Sequence, residues 1–311
     1  MVKFPFEKVL LPVDRSEHSK RAVKFAGKLF SSIENYISNI TILHVITGGF
    51  LSKHIKNIDF RAESLKDSKF FEKLKNKHYE ENIKPFLDEY EQLLRNEGVK
   101  LNLNQIILEG DPGNTIIEYA LREGFSTVML SRRGMSPLKS LFLGSVSEKV
   151  VYGLVDQNIY LIGNKMAEDC PVSKVLVPVD GSEYSMKAVE HAVYLAKILK
   201  KIQEITIFRV INVSLYLERL KQGIDPEEEA KDILIKTKRK FLEEVAENII
   251  KTKINVGFPA EEVVKEIHDG NYNLVVMGRR GRSVLKDLII GGVSSAVINR
   301  CFEPTIAIIN L

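Results

Sequence analysis

Two loops rich in Gly, Ser and Arg offer the clearest chemistry in this sequence. Ser131-Arg-Arg-Gly134 is followed, after nine residues, by Gly144-Ser-Val-Ser147, and Gly278-Arg-Arg-Gly281 is followed, after nine residues, by Gly291-Gly-Val-Ser294. Glycines let backbone N–H groups approach an anion, and the N-terminus of a following helix adds the positive end of its dipole. The repeated spacing favours a phosphate site, although a single Gly-x-x-Gly is also typical of a structural turn.

Polar and charged side chains beside the loops extend this interpretation. The hydroxyl of Ser145 or Ser147 could donate a hydrogen bond to a phosphate oxygen. Asp14 and Asp180 each follow an apolar run, where a carboxylate could contact a ribose or a base, or could cap the next helix. Five arginines lie in the loops: Arg132, Arg133, Arg279, Arg280 and Arg282. They either neutralise the charge of a phosphate chain or are ordinary charged residues on the surface.

The chain repeats one domain design, because residues 8–19 (KVLLPVDRSEHS) return at residues 174–185 (KVLVPVDGSEYS). The length of 311 residues fits two domains of about 150. We therefore expect one domain at residues 1–164 and a second at residues 172–311, with a short linker between them. Any function is to be sought in both copies.

Strand and helix patterns alternate in each half, which predicts a parallel sheet with helices on both faces. The apolar runs 9–13 and 175–179 are typical of strands that are buried on both sides. Charged amphipathic helices are predicted at 80–96 and 227–250. The first half is longer than the second, and its extra residues fall within 48–77, as either a solvated loop or a lid or partner surface.

Ligands of such sheets bind outside the carboxyl ends of the strands, at the point where the strand order reverses. Asp14 and Asp180 end the first strand of each half, whereas Ser131 and Gly278 begin the loop after the fourth. We therefore expect these residues to meet in one crevice in each half.

Composition excludes several classes of protein. With 44% hydrophobic and 28% charged residues, the composition is typical of a globular protein. The net charge is only +4, and Lys and Glu are interspersed along the predicted helices, so no nucleic-acid partner is predicted. Cys170 and Cys301 have no C-x-x-C spacing, and the six His residues show no paired ligand spacing. No apolar run approaches the ~20 residues that span a bilayer, and no signal peptide is evident. We expect reduced thiols, no membrane association and a cytoplasmic location.

With these motifs in view, the chain resembles the universal stress protein family, as two domains in tandem. The resemblance is carried by Val-Pro-Val-Asp-Gly-Ser (177–182), by Val-Val-Met-Gly-Arg-Arg-Gly (275–281) and by the G-x2-G-x9-G-(S/T) spacing. It implies flavodoxin-like or adenine nucleotide alpha hydrolase-like α/β domains, each with a five-stranded parallel sheet. It also implies that the two domains pair as an intramolecular pseudo-dimer, with a further homodimer as an option.

One branch of that family binds ATP at this motif, so the resemblance implies an adenine nucleotide as ligand, with Mg²⁺ as an optional companion. Carried over by position, the site residues of the first half are Pro12, Val13, Asp14, Val45, Leu130, Gly134, Gly144, Ser145 and Ser147. Those of the second half are Pro178, Val179, Asp180, Val210, Met277, Gly278, Arg280, Gly281, Gly291, Gly292, Val293 and Ser294.

Both copies depart from the family pattern. Ser131 replaces the first glycine of the first motif, which adds a Cβ where the backbone is expected to approach phosphate or to adopt a positive φ. Gly292 replaces the Ser or Thr of the second motif, which removes a hydroxyl worth ~1 kcal/mol but keeps the backbone N–H. We therefore expect the second site to bind better.

No Walker A motif and no nucleophile elbow is present, so no catalytic residue is predicted. The expected function is a regulatory module that binds adenine nucleotide without efficient catalysis. The alternatives are a nucleotide-free interaction scaffold in the stress response and a slow Mg²⁺-dependent ATPase or phosphotransferase.

Overall fold

In the computed structural model, residues 5–47, 73, 76–132, 143–166, 171–282 and 290–310 are described. The first half contains β1 (Lys8–Pro12), α1 (Glu17–Phe30), β2 (Asn39–Ile46), α2 (Lys84–Asn96), β3 (Leu103–Glu109), α3 (Pro112–Arg122), β4 (Thr127–Ser131), α4 (Ser145–Gly153) and β5 (Asn158–Ile162). The second half contains β6 (Lys174–Pro178), α5 (Glu183–Ile198), β7 (Glu204–Asn212), α6 (Val213–Lys221), α7 (Glu228–Leu242), β8 (Ile250–Gly257), α8 (Pro259–Gly270), β9 (Leu274–Gly278), α9 (Gly292–Arg300) and β10 (Thr305–Ile309).

The strands form one ten-stranded sheet in the order β3-β2-β1-β4-β5-β10-β9-β6-β7-β8. All strand pairs within a half are parallel, and the order reverses between β1 and β4 and again between β6 and β9. The halves join where β5 and β10 pair antiparallel, with Ala307 opposite Tyr160. The predicted fold class is thus confirmed, with the two five-stranded sheets continuous across the joint.

Helices cover both faces of this sheet. Alternate strand residues, such as Val9 and Leu11, pack against α1, α2, α5 and α7, whereas Leu10 points to the other face, against α3, α4, α8 and α9. Fully burying an aliphatic side chain stabilises the fold by about 1.5–3 kcal/mol, so these two apolar layers dominate the stability of the protein.

Local signals account for where most helices begin. Ser16 and Ser182 cap α1 and α5, because each hydroxyl accepts a hydrogen bond from the backbone N–H three residues later. The prediction for 80–96 needs refinement, since a π-helical turn at Tyr79–Ile83 precedes α2. Among the described residues, no helix is long and apolar enough to cross a membrane.

The helix predicted at 227–250 is wrong in its last turns. Helix α7 ends at Leu242, a 3₁₀ turn follows at Glu247–Ile249, and β8 starts at Ile250. Strand β8 pairs with β7 over its whole length, from Ile250 to Gly257, and this pairing overrides the local helical pattern. Helix α6 was not predicted. The long segment 48–77 lies almost entirely outside the described residues.

Candidate functional site

A cleft opens at the carboxyl edge of the sheet in each half, between the first and fourth strands of that half. The first cleft, in the first half, encloses about 540 Å³, and the second cleft, in the second half, about 450 Å³. Both volumes fall within the ~300–1,000 Å³ of typical small-molecule sites. The two clefts therefore lie where the topology of an open α/β sheet places its ligands.

The structure gathers nearly all predicted site residues into these walls. The first cleft is lined by Pro12, Val13, Asp14, Val45, Leu130, Gly144, Ser145 and Ser147. The second is lined by Pro178, Val179, Asp180, Val210, Met277, Gly278, Arg280, Gly281, Gly291, Gly292, Val293 and Ser294. Gly134 lies outside the described residues. That these residues bind a ligand stays a prediction.

Each cleft receives the N-terminus of one helix, α4 in the first half and α9 in the second. Gly144 and Gly291 occupy the N-cap positions and have no side chain that could accept from the first-turn N–H groups. These N–H groups and the positive end of the helix dipole favour an anion. Nearby, Ser147 Oγ donates to the carbonyl of Ser131 (3.1 Å), and Ser294 Oγ donates to that of Gly278 (2.9 Å). The two hydroxyls therefore join each helix to the end of its strand.

The interpretation of Asp14 and Asp180 as helix caps is wrong, because Ser16 and Ser182 hold those positions. Asp14 instead accepts hydrogen bonds from the N–H of Ser16 (3.0 Å) and the hydroxyl of Ser19 (2.7 Å). Asp180 accepts one from the N–H of Ser182 through Oδ1 (2.9 Å). Each Asp thus supports the turn that the capping serine begins.

Asp180 also contacts the glycine loop of its own half. Its Oδ2 accepts a hydrogen bond from the backbone N–H of Arg282 (2.9 Å). Burial by itself acts to raise the pKa of Asp180, but hydrogen bonds from Ser182, Ser185 and the Arg282 backbone outweigh it and hold the pKa below 3.8. Asp180 is therefore an ionised carboxylate at the rim of the second cleft.

Neither interpretation of Arg132 and Arg279 fits the structure, since both side chains are buried and line neither cleft. Each is only 2% exposed and crosses to the other half. Arg132 donates to the carbonyls of Ile298 and Cys301, at the end of α9. Arg279 donates to the carbonyls of Val151 (3.0 Å) and Leu154 (2.6 Å), at the end of α4. Burial lowers the pKa of both guanidinium groups to about 10.

The remaining arginines of the loops divide differently. Arg280 and Arg282 line the second cleft, and Arg282 also pairs with Glu229 of α7. Arg133 lies outside the described residues. The first arginine of each motif, Arg132 or Arg279, therefore joins the two halves, whereas the second arginine of the second motif, Arg280, lines the cleft.

The glycines of the second motif are needed first for packing within the protein. A Cβ on Gly278 would lie 2.5 Å from the backbone of Tyr184, and one on Gly281 would lie 2.5 Å from Asp180 Oδ2. Neither residue has a positive φ. A positive φ at the first glycine of the motif, the position that Ser131 occupies in the first half, is therefore a wrong expectation for the second site. At Gly292, by contrast, no packing neighbour among the described residues lies within 4 Å of the Cβ position, so a side chain fits there.

One residue pair in the walls of the clefts was not among the predicted site residues. His44 and Arg209 occupy equivalent positions, one residue before Val45 and Val210 in the second strand of each half. The signal was present, because a basic side chain interrupts an otherwise apolar strand. Among the described residues, no group of three or more His, Cys, Asp or Glu is placed to hold a metal ion. Cys301 is a free buried thiol whose pKa burial raises to about 11.

Comparison with known proteins agrees with this architecture of two similar α/β domains. The sequence profile of the universal stress protein family matches residues 5–153 and again residues 171–308. The chain therefore belongs to the universal stress protein family and carries two copies of its domain.

Similar proteins come from archaea and bacteria. Universal stress protein MJ0531 of Methanocaldococcus jannaschii is 30% identical over 141 residues, which cover 43% of this chain and 81% of that protein. Universal stress protein YxiE of Bacillus subtilis is 32% identical over 136 residues, which cover 40% of this chain and 90% of that protein. The crystal structure of a universal stress protein from Archaeoglobus fulgidus superposes with a TM-score of 0.70 at 22% identity, over 98% of both chains, and so shares the fold.

Proposed function

We propose that this protein is a regulatory module that binds adenine nucleotide, with ATP as the expected ligand, and does not turn it over efficiently. The observation that carries the proposal is the pairing of an apolar wall with a helix N-terminus whose N-cap residue is glycine in each cleft. An apolar wall suits a base, and the helix N-terminus suits a phosphate chain.

The residues divide between the two ends of such a ligand. Val45 and Leu130, or Val210 and Met277, would pack against the adenosine moiety, while Asp14 or Asp180 would accept hydrogen bonds from it. The first-turn N–H groups of α4 or α9 would hold the phosphates. The serine hydroxyls that already donate to strand carbonyls would keep that helix turn in place.

A carboxylate placed at the start of either helix tests the proposal one cleft at a time. Ser145→Asp and Gly292→Asp introduce a negative charge at the first residue of α4 and of α9, where the wall is open to the cleft. An acidic residue there stabilises the helix by ~0.3–1 kcal/mol, so folding is preserved, but it repels phosphate.

Calorimetry with ATP is the measurement. We expect each variant to lose one binding event and the double variant to lose both, with affinity falling by at least about tenfold, or about 1.4 kcal/mol. The neutral changes Ser145→Ala and Gly292→Ser are the matched controls and should retain binding. If ATP binds the double variant as it binds the unmodified protein, the helix termini are not the phosphate sites. Failure of ATP to bind the unmodified protein would favour the scaffold alternative.

Turnover is tested by phosphate release from ATP with Mg²⁺. Fast phosphoryl transfer needs a positioned nucleophile or base, and kinases reach roughly 1–100 per second. Asp14 and Asp180, the carboxylates of the described cleft walls, are engaged by cap serines and lie at the expected adenosine end. We therefore expect a rate far below that range, and a rate within it would make the protein an enzyme.

A further inference from the structure

Arg209 is a buried basic side chain in the wall of the second cleft. It lies on β7, is 8% exposed and forms part of the cleft wall. Its Nε is buried without a hydrogen-bond partner, and no ion pair among the described residues involves its guanidinium group. Burying a cation without an ion-pair partner costs several kcal/mol of folding free energy unless an anion neutralises its charge.

The carboxylates near Arg209 are committed elsewhere. Asp180 accepts from the backbone N–H groups of Ser182 and Arg282. Glu229 pairs with Arg219 at 2.6 Å and with Arg282. Among the described residues at this end of the cleft, the three guanidinium groups of Arg209, Arg219 and Arg282 thus outnumber the two carboxylates of Asp180 and Glu229. Burial first, and then the charge of Arg282, lower the pKa of Arg209 below its ordinary value.

The first cleft provides an internal comparison at the same strand position. His44 there lies with its Nδ1 2.9 Å from the carbonyl oxygen of Val13, and its ring packs edge-on against Phe86 at 4.9 Å. Burial lowers the pKa of His44, so the imidazole is neutral near pH 7. One chain therefore presents a hydrogen-bonded neutral ring in one cleft and an unpaired cation in the other.

The position of Arg209 separates it from the phosphate end of the cleft. It extends toward the face covered by α7, as its charged neighbours Asp180 and Glu229 show, whereas the N-terminus of α9 belongs to the opposite face of the sheet. The second cleft thus has two positive regions, one at the start of α9 beside Arg280 and one at Arg209 and Arg282. Asp180, which we assign to the ribose or base, belongs to the second of these regions.

We infer that Arg209 binds a second anionic group of the ligand, and that the second cleft selects a nucleotide with an additional phosphate on its ribose. The guanidinium group suits a phosphate because its N–H groups form paired hydrogen bonds with two oxygens. The first cleft has neutral His44 at this position, and its cation, Arg15, is exposed over the ring of Phe86. Among the described residues of that cleft wall, no buried arginine is therefore present to favour such a phosphate. The inference rests on the proposed nucleotide binding and adds the ligand class of the second cleft.

The test uses the full chain with Ser145→Asp, so that only the second cleft binds. Adenosine 5′-monophosphate, adenosine 2′,5′-bisphosphate and adenosine 3′,5′-bisphosphate are titrated in a calorimeter. We expect at least one bisphosphate to bind tenfold or more tightly than the monophosphate. Arg209→His, which installs the residue of the first cleft, should remove that difference and leave monophosphate affinity within about threefold, because only the second phosphate loses its partner.

A stability measurement separates binding from a structural role. Without ligand, Arg209→His should unfold at the same temperature as the parent or a higher one, since an unpaired buried charge is removed. The reciprocal variant carries Gly292→Asp in place of Ser145→Asp, so that only the first cleft binds. We expect it to bind the three nucleotides with similar affinity.

Three results would overturn the inference. The bisphosphates could bind no better than the monophosphate, Arg209→His could weaken all three ligands equally, or it could lower the unfolding temperature without ligand. In each case monophosphate binding to the parent would leave the proposed function standing. Absence of binding by all three nucleotides and by ATP would reject the proposed function together with the inference.

Discussion

At the scale of single residues, Asp180 connects three parts of the second cleft. It supports the serine that caps α5, it accepts the Arg282 N–H from the glycine loop, and it lies 2.5 Å from where a Cβ of Gly281 would be. A substitution such as Gly281→Val would therefore disturb Asp180 before any ligand is considered. Changes at Gly292, where the space is open, are a cleaner probe of binding.

Asp180 also gives the protein a defined response to acid. Its pKa is below 3.8 in the folded protein, so the unfolded chain takes up its proton first as the pH falls. The stability that Asp180 contributes is therefore complete well above pH 3.8 and is lost as the pH drops through the folded-state pKa.

We expect Asp180→Asn to lower the free energy of unfolding by about 1.5–3 kcal/mol at pH 7, the usual worth of hydrogen bonds to a charged group. The loss should shrink as the pH falls from 3.8 through the folded-state pKa, because the native carboxylate then also becomes protonated. Asp14→Asn is the matched control, because Asp14 is exposed and its substitution should lower the free energy of unfolding by less. Urea titrations from pH 3 to 7 measure both, and an equal loss at every pH would contradict the assignment.

At the scale of secondary structure, α4 and α9 each have two functions. Their N-termini face the clefts, and their C-terminal carbonyls accept hydrogen bonds from Arg279 and Arg132 of the other half. Each arginine directly follows the last residue of β4 or β9. The cleft of one half is therefore tied to the helix that forms the cleft of the other.

Arg279→Met should destabilise the ligand-free protein, because it leaves the buried carbonyls of Val151 and Leu154 without their donor. The expected cost is roughly 1–3 kcal/mol for each carbonyl. Arg280→Met is the control at the neighbouring position, since Arg280 lines the cleft and should change stability by less than about 0.5 kcal/mol. Thermal unfolding compares them, and equal shifts in the two variants would show that the cross-half hydrogen bonds add nothing.

At the scale of the whole molecule, the two halves form one body through β5 and β10 and through a buried polar pair. The hydroxyl of Tyr160, on β5, lies 2.6 Å from Nε2 of His191, on α5, with Phe6 packed against both rings. Burial depresses the pKa of His191 to about 3 and raises that of Tyr160, so both side chains are neutral in the folded protein.

The neutral, buried state of His191 predicts that mild acid lowers the free energy of unfolding. The unfolded imidazole takes up a proton near pH 6.5, whereas the folded one resists until about pH 3. Stability should therefore fall as the pH is lowered from 6.5 toward 3, by an amount on the order of a few kcal/mol. His191→Gln should flatten that slope, as measured by urea unfolding at several pH values. His268→Gln, a change in α8, is the control, and an unchanged slope in His191→Gln would refute the prediction.

Much of the fold and of the candidate site could be predicted from the sequence. The resemblance to the universal stress protein family supplied many of the cleft residues, such as Val45 and Met277. The duplication, the strand-to-helix alternation and the meeting of Asp14 or Asp180 with the glycine loop follow from local patterns and from the rule that ligands meet parallel strands at their carboxyl ends. These features depend on residues close together in the chain or on a general property of open sheets. Local pattern was enough to identify them.

Tertiary structure decided the features that depend on distant partners. Adjacent arginines, Arg279 and Arg280, have the same sequence context, yet one is buried across the joint and the other lines a cleft. Strand pairing ended α7 early, and the β5–β10 pairing merged two sheets into one. Arg209 shows its unpaired state only once Asp180 and Glu229 are seen to be engaged elsewhere. Each outcome depends on which groups compete for the same hydrogen-bond partner or buried space, and residues far apart in the sequence supply those groups.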